Sequence, residues 1–132
     1  MNPLLRAWLN RFLGDRGERA AARHLRGRGM RVITRGYRTA GGEIDLIARE
    51  GRTLVFVEVK TRRQGNPAEA VTPDKQRRIT LAALHFLRRH HLQDYPCRFD
   101  VVTVLWPDDG RPPTISHITN AFEPPGRAQP LL

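Results

Sequence analysis

Two short strings carry most of the chemistry in this chain: GEIDLIA at residues 42–48 and FVEVK at residues 56–60. Each is an apolar β-like segment with charge at one end. In a strand, residues two apart share a face. Glu43, Asp45 and Ile47 are therefore expected on one side of the first strand, opposite Ile44, Leu46 and Ala48. On the second strand Leu54, Phe56, Glu58 and Lys60 share a side, opposite Val55, Val57 and Val59. Glu50 and Gly51 read as a tight turn, so the strands form a hairpin and antiparallel pairing sets Asp45 beside Glu58. Crowded carboxylates raise each other's pKa unless a cation offsets them. An all-oxygen donor set points to Mg²⁺ or Mn²⁺ rather than zinc. An ion held by Asp45 and Glu58 would polarise a phosphodiester and lower the pKa of a bound water. Lys60 would orient that water or stabilise developing charge. The competing interpretation is a salt-bridged strand end, with Lys60 on Glu58 and Asp45 capping the turn. The preceding Gly41-Gly42 and the basic chain favour the metal site. Glu43 is either a second ligand or a strand-end residue fixed by the turn.

The elements that must position these groups follow from periodicity. Residues 1–13 form an amphipathic lead-in helix, with Leu5, Trp8, Leu9 and Phe12 at helical spacing. It is expected to pack on the domain; a membrane surface or a partner protein is the alternative. Helix continues from Gly14, with Ala21, Ala22 and Leu25 on one side, and Gly27 and Gly29 end it. A short strand at 30–34, a turn at 37–42 and the hairpin strands at 43–49 and 53–60 come next. A polar loop occupies 60–70. Thr72 as N-cap and Pro73 at the first helical position open a helix to about Arg89, burying Ile79, Ala82, Ala83, Phe86 and Leu87. Strands at 98–105 and, more weakly, 114–119 complete the order. This predicts an α/β domain over 14–122 with a single mixed sheet flanked by helices. The proline-rich stretch 123–132 is expected to be a disordered tail.

A chain of 132 residues fits one such domain. Cys97 is the single cysteine, which excludes an intramolecular disulfide and a sulfur-bound metal cluster and suits a reducing cytoplasm. No apolar run approaches the ~20 residues of a membrane span, and no signal-peptide pattern opens the chain. Lys and Arg number 23 against 13 Asp and Glu, a net charge of +10, and only Lys60 and Lys75 are lysines. Arginine forks match phosphate, so a nucleic acid is the expected partner, ahead of a merely solvated basic surface. Arg62 and Arg63 follow Lys60, while Lys75, Arg77 and Arg78 open the second helix; both clusters suit backbone phosphates. His85, His90 and His91 read as cations near a helix C-terminus rather than zinc ligands, and Cys97 has no evident catalytic partner.

GEIDLIA followed by VFVEVKTR, with Gly14 and Glu18 upstream as G-x-x-x-E, resembles the YraN-like family of small bacterial proteins. That family is assigned to the PD-(D/E)xK, or restriction-endonuclease-like, nuclease superfamily. The resemblance spans roughly residues 14–122 and implies an αβββαβ core. It also implies metal binding by Asp45, Glu58 and the Val59 carbonyl, with Lys60 as the motif lysine. By the same resemblance Glu18 corresponds to the helix acid of RecB-like and Holliday-resolvase-like members, and Gln76 to a helix glutamine. Ile44 stands where the superfamily's eponymous proline would be. The implied activity is a Mg²⁺- or Mn²⁺-dependent endonuclease acting on DNA, structure-selective or single-strand-directed, in repair or recombination. A catalytically silent nucleic-acid-binding module and an interaction protein using the N-terminal helix are the alternatives. Superfamily members often dimerise, so a homodimer is a further expectation.

Overall fold

The computed structural model describes residues 2–63 and 71–124, and of residues 6–13 the backbone alone. Elements follow the order α1 (Pro3–Gly27), β1 (Arg31–Thr39), β2 (Gly42–Glu50), β3 (Thr53–Arg63), α2 (Pro73–Arg89), β4 (Cys97–Trp106) and β5 (Thr114–Phe122). The first six are the αβββαβ core expected from the sequence. One five-stranded sheet runs in the order β1-β2-β3-β4-β5. Only the β3–β4 pair is parallel, because α2 carries the chain over the sheet between them.

The helices cover opposite faces. Ile79, Ala82, Ala83, Phe86 and Leu87 of α2 pack with Ile47, Leu54, Phe56 and Phe99. Ala21, Ala22 and Leu25 of α1 pack with Leu46, Ala48, Val55, Val57, Val102 and Val104. Alternate residues of β3 and β4 therefore serve different layers, which is why these strands read as continuous apolar runs. Thr72 caps α2 as expected: its Oγ1 accepts the Lys75 N–H at 3.1 Å, with Pro73 at the helix start.

Several boundaries differ from expectation. β1 runs on to Thr39, so the turn shrinks to Ala40 and Gly41, and β3 continues to Arg63. The lead-in helix and the helix from Gly14 are one: α1 passes through Gly14 and Gly17 without a break. Leu4 and Leu5, in its first turn, are exposed. Residues 64–70 of the predicted loop and 125–132 of the predicted tail lie outside the described residues, as do the side chains of Trp8, Leu9 and Phe12.

One expectation is corrected outright. Ile44, Leu46 and Ala48 do not share a face: Ile44 packs in the α2-side core, Leu46 and Ala48 in the α1-side core. Alternation slips at Asp45. Between the pairs Arg35↔Leu46 and Tyr37↔Ile44 lies Gly36, across from Asp45, in the left-handed region at φ 68°. A glycine there lets β1 turn without a Cβ penalty, and β2 turns beside it.

Candidate active site

The β2–β3 ladder ends at Leu46↔Val57. Beyond it the strands part, and the next residues on each are Asp45 and Glu58. Asp45 reaches across the gap, where its Oδ2 accepts the Val59 N–H at 2.8 Å. A side-chain oxygen thus replaces the main-chain acceptor that a continuing ladder would have supplied. Glu58 points to the α2 side of the sheet, the side of Phe56, and is 4 % exposed. Its Oε1 lies 3.4 Å from Lys75 Nζ at the start of α2.

The Asp45 and Glu58 carboxyls are near enough for the charge of Asp45 to act on Glu58. Neighbouring carboxylates favour a shared proton or a nearby cation. Burial pushes the Glu58 pKa from 4.5 to about 7, helped by the charge of Asp45 and opposed by Lys75 and Lys60. Burial also raises Asp45, as does Glu43, against the Val59 N–H and Lys75. The motif residues therefore meet as the hairpin required, with Lys60 close enough to act on Glu58.

Glu18 joins from the α1 side. Gly17 makes this approach possible, because a Cβ there would run into Thr61 Oγ1 of β3. The helix settles onto the strand at that glycine and delivers the next residue to Asp45. Gly14, by contrast, faces open space. Burial pushes the Glu18 pKa from 4.5 to about 7, with further upward pressure from Asp45, Asp15 and Glu43 and an opposing pull from Arg35. Gly42 plays the matching part on the other side. A Cβ there would collide with the Arg78 carbonyl of α2, so the β1–β2 turn abuts the helix that carries Lys75.

Other predicted residues fall elsewhere. Glu43 pairs with Arg38 across β1–β2 at 3.3 Å and is exposed, yet its charge still reaches Asp45 and Glu18. Gln76 Nε2 donates to the Val71 carbonyl at 2.9 Å, so its amide braces the start of α2 rather than the carboxyl pair. Arg77 and Arg78 both pair with Asp74, and Arg62 donates to the Thr61 carbonyl at 2.9 Å. Lys75, expected as a phosphate contact, is placed against Glu58. His85 Nδ1 lies 2.6 Å from the Tyr37 hydroxyl, and the His90 ring packs on Phe86. Burial raises the Cys97 thiol pKa, as for an inert core cysteine.

Sequence reasoning missed the seats of Gly17 and Thr61, the Arg35 charge beside Glu18 and the inward placement of Lys75. The last had a signal. Lys75 is one of two lysines in an arginine-rich chain, and the Thr72 cap fixes it in the first turn of α2.

Among the described residues no three His, Cys, Asp or Glu side chains close on one point as a complete metal cage. The donor set is two neighbouring carboxyls, oxygen only, with Glu18 on α1 within reach of the charge of Asp45. That suits a hard divalent ion that keeps waters and takes a main-chain oxygen, as Mg²⁺ does.

No helix among the described residues is long and apolar enough to cross a membrane. The model of the Uncharacterised protein family UPF0102 matches residues 17–104. The chain is 54 % identical over 119 residues to a UPF0102 protein of Geobacter sulfurreducens, covering 86 % of this chain and 91 % of that one. It is 50 % identical over 123 residues to one of Rhodopirellula baltica, covering 89 % and 74 %. A Rhodococcus jostii relative is 50 % identical over 116 residues, covering 86 % and 98 %. With residues 17–104 matched by the family model and about half of the aligned residues identical in these relatives, the chain belongs to the UPF0102 family.

Proposed function

We propose that this protein is a divalent-metal-dependent nuclease of the PD-(D/E)xK type that hydrolyses phosphodiester bonds in nucleic acid, DNA foremost, in repair or recombination. The observation that carries this reading is the placing of Asp45 beside the buried carboxyl of Glu58 at the point where β2 parts from β3. Asp45, Glu58 and the Val59 carbonyl would hold Mg²⁺ or Mn²⁺. The ion, when bound, supplies charge neutralisation at the phosphate and a more acidic water.

The chain's own groups do the rest. The Val59 N–H holds Asp45 in place before any ligand arrives. Lys60, two residues beyond Glu58 on the same strand, stabilises charge that develops on the scissile phosphate. Glu18, with a pKa of about 7, can take up or release a proton near neutrality. Arg62, Arg63, Arg77 and Arg78 lie on β3 and α2 on either side of the carboxyls and suit backbone phosphates.

The test is cleavage of single-stranded, branched and duplex DNA with Mg²⁺, with Mn²⁺ and with chelator. Cleavage should need the ion and should vanish in Asp45→Asn and Lys60→Ala. Cleavage that survives both substitutions rejects the site. One observation favours a second reading, a silent nucleic-acid-binding module: the Lys75 ammonium on Glu58 already supplies part of the positive charge that an ion would bring. That reading predicts salt-sensitive DNA binding and no cleavage with either metal.

A further inference from the structure

β3 and β4 stay paired well past the point where β2 leaves, as far as Arg63↔Trp106. From Glu58 to Arg63 is five steps of strand, roughly 16 Å. At the far end lies a depression of about 460 Å³ whose lining includes Arg16, Arg63, Trp106, Pro107, Arg111 and Pro112. The Arg16 guanidinium carbon sits 4.3 Å from the centre of the Trp106 ring. Trp106 is half-buried, and its indole N–H is buried with no acceptor among the described residues. Arg111 pairs with Asp109, and Asp108 also lines the hollow, so the local balance remains basic.

We propose that this hollow is a stacking subsite for an unpaired nucleobase of a strand that runs along β3 to the carboxyl pair. The inference rests on the reading of this protein as a nucleic-acid-acting one and adds what form the substrate takes. The Trp106 indole with the Arg16 guanidinium over its ring, edged by two prolines, forms a layered flat surface that any base can lie on. Arginines around it meet the flanking phosphates, and an arginine plane is itself a stacking surface. A base inside a duplex is covered on both faces by its neighbours and cannot use such a hollow. The strand is therefore unpaired within a few nucleotides of the cut, as in a flap, an overhang or a plain single strand. A purely structural Trp106, one edge of the α1-side core, accounts for its burial. It does not account for the arginine- and proline-lined hollow that opens beside the ring.

The chain has two tryptophans, Trp8 and Trp106, so Trp8→Phe leaves Trp106 as the sole indole reporter. With chelator present to prevent cleavage, oligothymidylate should quench its fluorescence and a blunt duplex should not. Trp106→Leu should weaken single-strand binding by roughly tenfold or more with duplex binding unchanged, and Trp106→Phe should restore most of the loss. The proposal is overturned by an indole indifferent to single strands, or by a Trp106→Leu variant that binds both forms as the parent does. Equal loss on both forms overturns it too, since that marks a structural tryptophan. Quenching without any Asp45-dependent cleavage would remove the nuclease reading and leave the subsite standing. Cleavage that needs Asp45 while the indole stays silent would do the reverse.

Discussion

Two aspartates stand at interruptions of the same sheet and are answered differently. Asp45 catches the Val59 N–H at 2.8 Å where the β2–β3 ladder stops. Asp100 catches the Asn120 N–H at 2.9 Å at the register shift between β4 and β5. Both stitch a broken ladder with a carboxylate. The difference lies in the remaining oxygens. Arg98 Nε lies 3.0 Å from Asp100 Oδ1, and His117 Nε2 lies 2.9 Å from Oδ2. The Arg28 guanidinium in turn meets His117 Nδ1 at 2.9 Å, which holds the ring as the tautomer with its proton on Nε2. Asp100 is saturated by donors that the protein itself provides. Asp45 instead stands within reach of the charge of Glu58, another acid, and Lys75 acts on both. A buried carboxylate surrounded by donors is structure; a buried pair short of positive charge is a place for something to bind.

The comparison can be broken most decisively at these two residues. Asp45→Asn keeps an oxygen for the Val59 N–H and removes the charge. It should lower metal-dependent cleavage by about a thousandfold or more while leaving urea stability equal or higher. Asp100→Ala strands the buried His117 ring and leaves the half-buried Arg98 with Glu50 alone, and should cost roughly 3 kcal/mol of stability, insensitive to Mg²⁺. If both variants lose stability alike, the two sites are not different in kind.

A smaller effect comes from pH. Glu58 in the folded protein titrates at about 7 against an ordinary 4.5. Its raised pKa favours folding fully below 4.5, and that benefit is lost as pH rises through 7. Without metal, stability should therefore fall between about pH 4.5 and 7 by on the order of 2–3 kcal/mol from this group. Glu58→Gln should flatten that decline in thermal melts at fixed ionic strength. Added Mg²⁺ should raise the Tm more at pH 8 than at pH 5; an equal rise at both would separate the ion from the carboxyl pair.

The smallest contrast is between two glycines of one helix. Gly17→Ala forces α1 off Thr61 and should cost roughly 1–3 kcal/mol. Gly14→Ala meets open space and should stabilise by about 0.5–1 kcal/mol, through helix propensity alone. Denaturant midpoints of the two variants should move in opposite directions.

Much of this was legible in the sequence because the strongest signals are local. Strand alternation identified Val55, Val57 and Val59 as one layer of β3 and Glu58 and Lys60 as the other. The Thr72-Pro73 pair marked the start of α2 to the residue. The convergence of Asp45 and Glu58 followed from hairpin antiparallelism, which needs no tertiary information. What escaped was set by distant parts of the chain. The slip in β2 that separates Ile44 from Leu46 lies across from Gly36 on another strand. The seat of Glu18 depends on how closely α1 approaches Thr61, which no spacing within the helix encodes. Lys75 stands beside Glu58 where its neighbour Gln76 was expected near the site, because the helix's rotation over the sheet decides which of them faces Glu58. Trp106 drew no notice because its partner, Arg16, is remote in sequence.

The unbroken course of α1 has a mechanical consequence. Its 25 residues make a rod of roughly 37 Å, and Gly17 marks where it bears on β3 through Thr61. The buried Ala21, Ala22 and Leu25 bind the half beyond Gly17 to the sheet. Glu18 thus rides on the anchored part of the rod, while the outer turns, where Leu4 and Leu5 are exposed, form its lever arm.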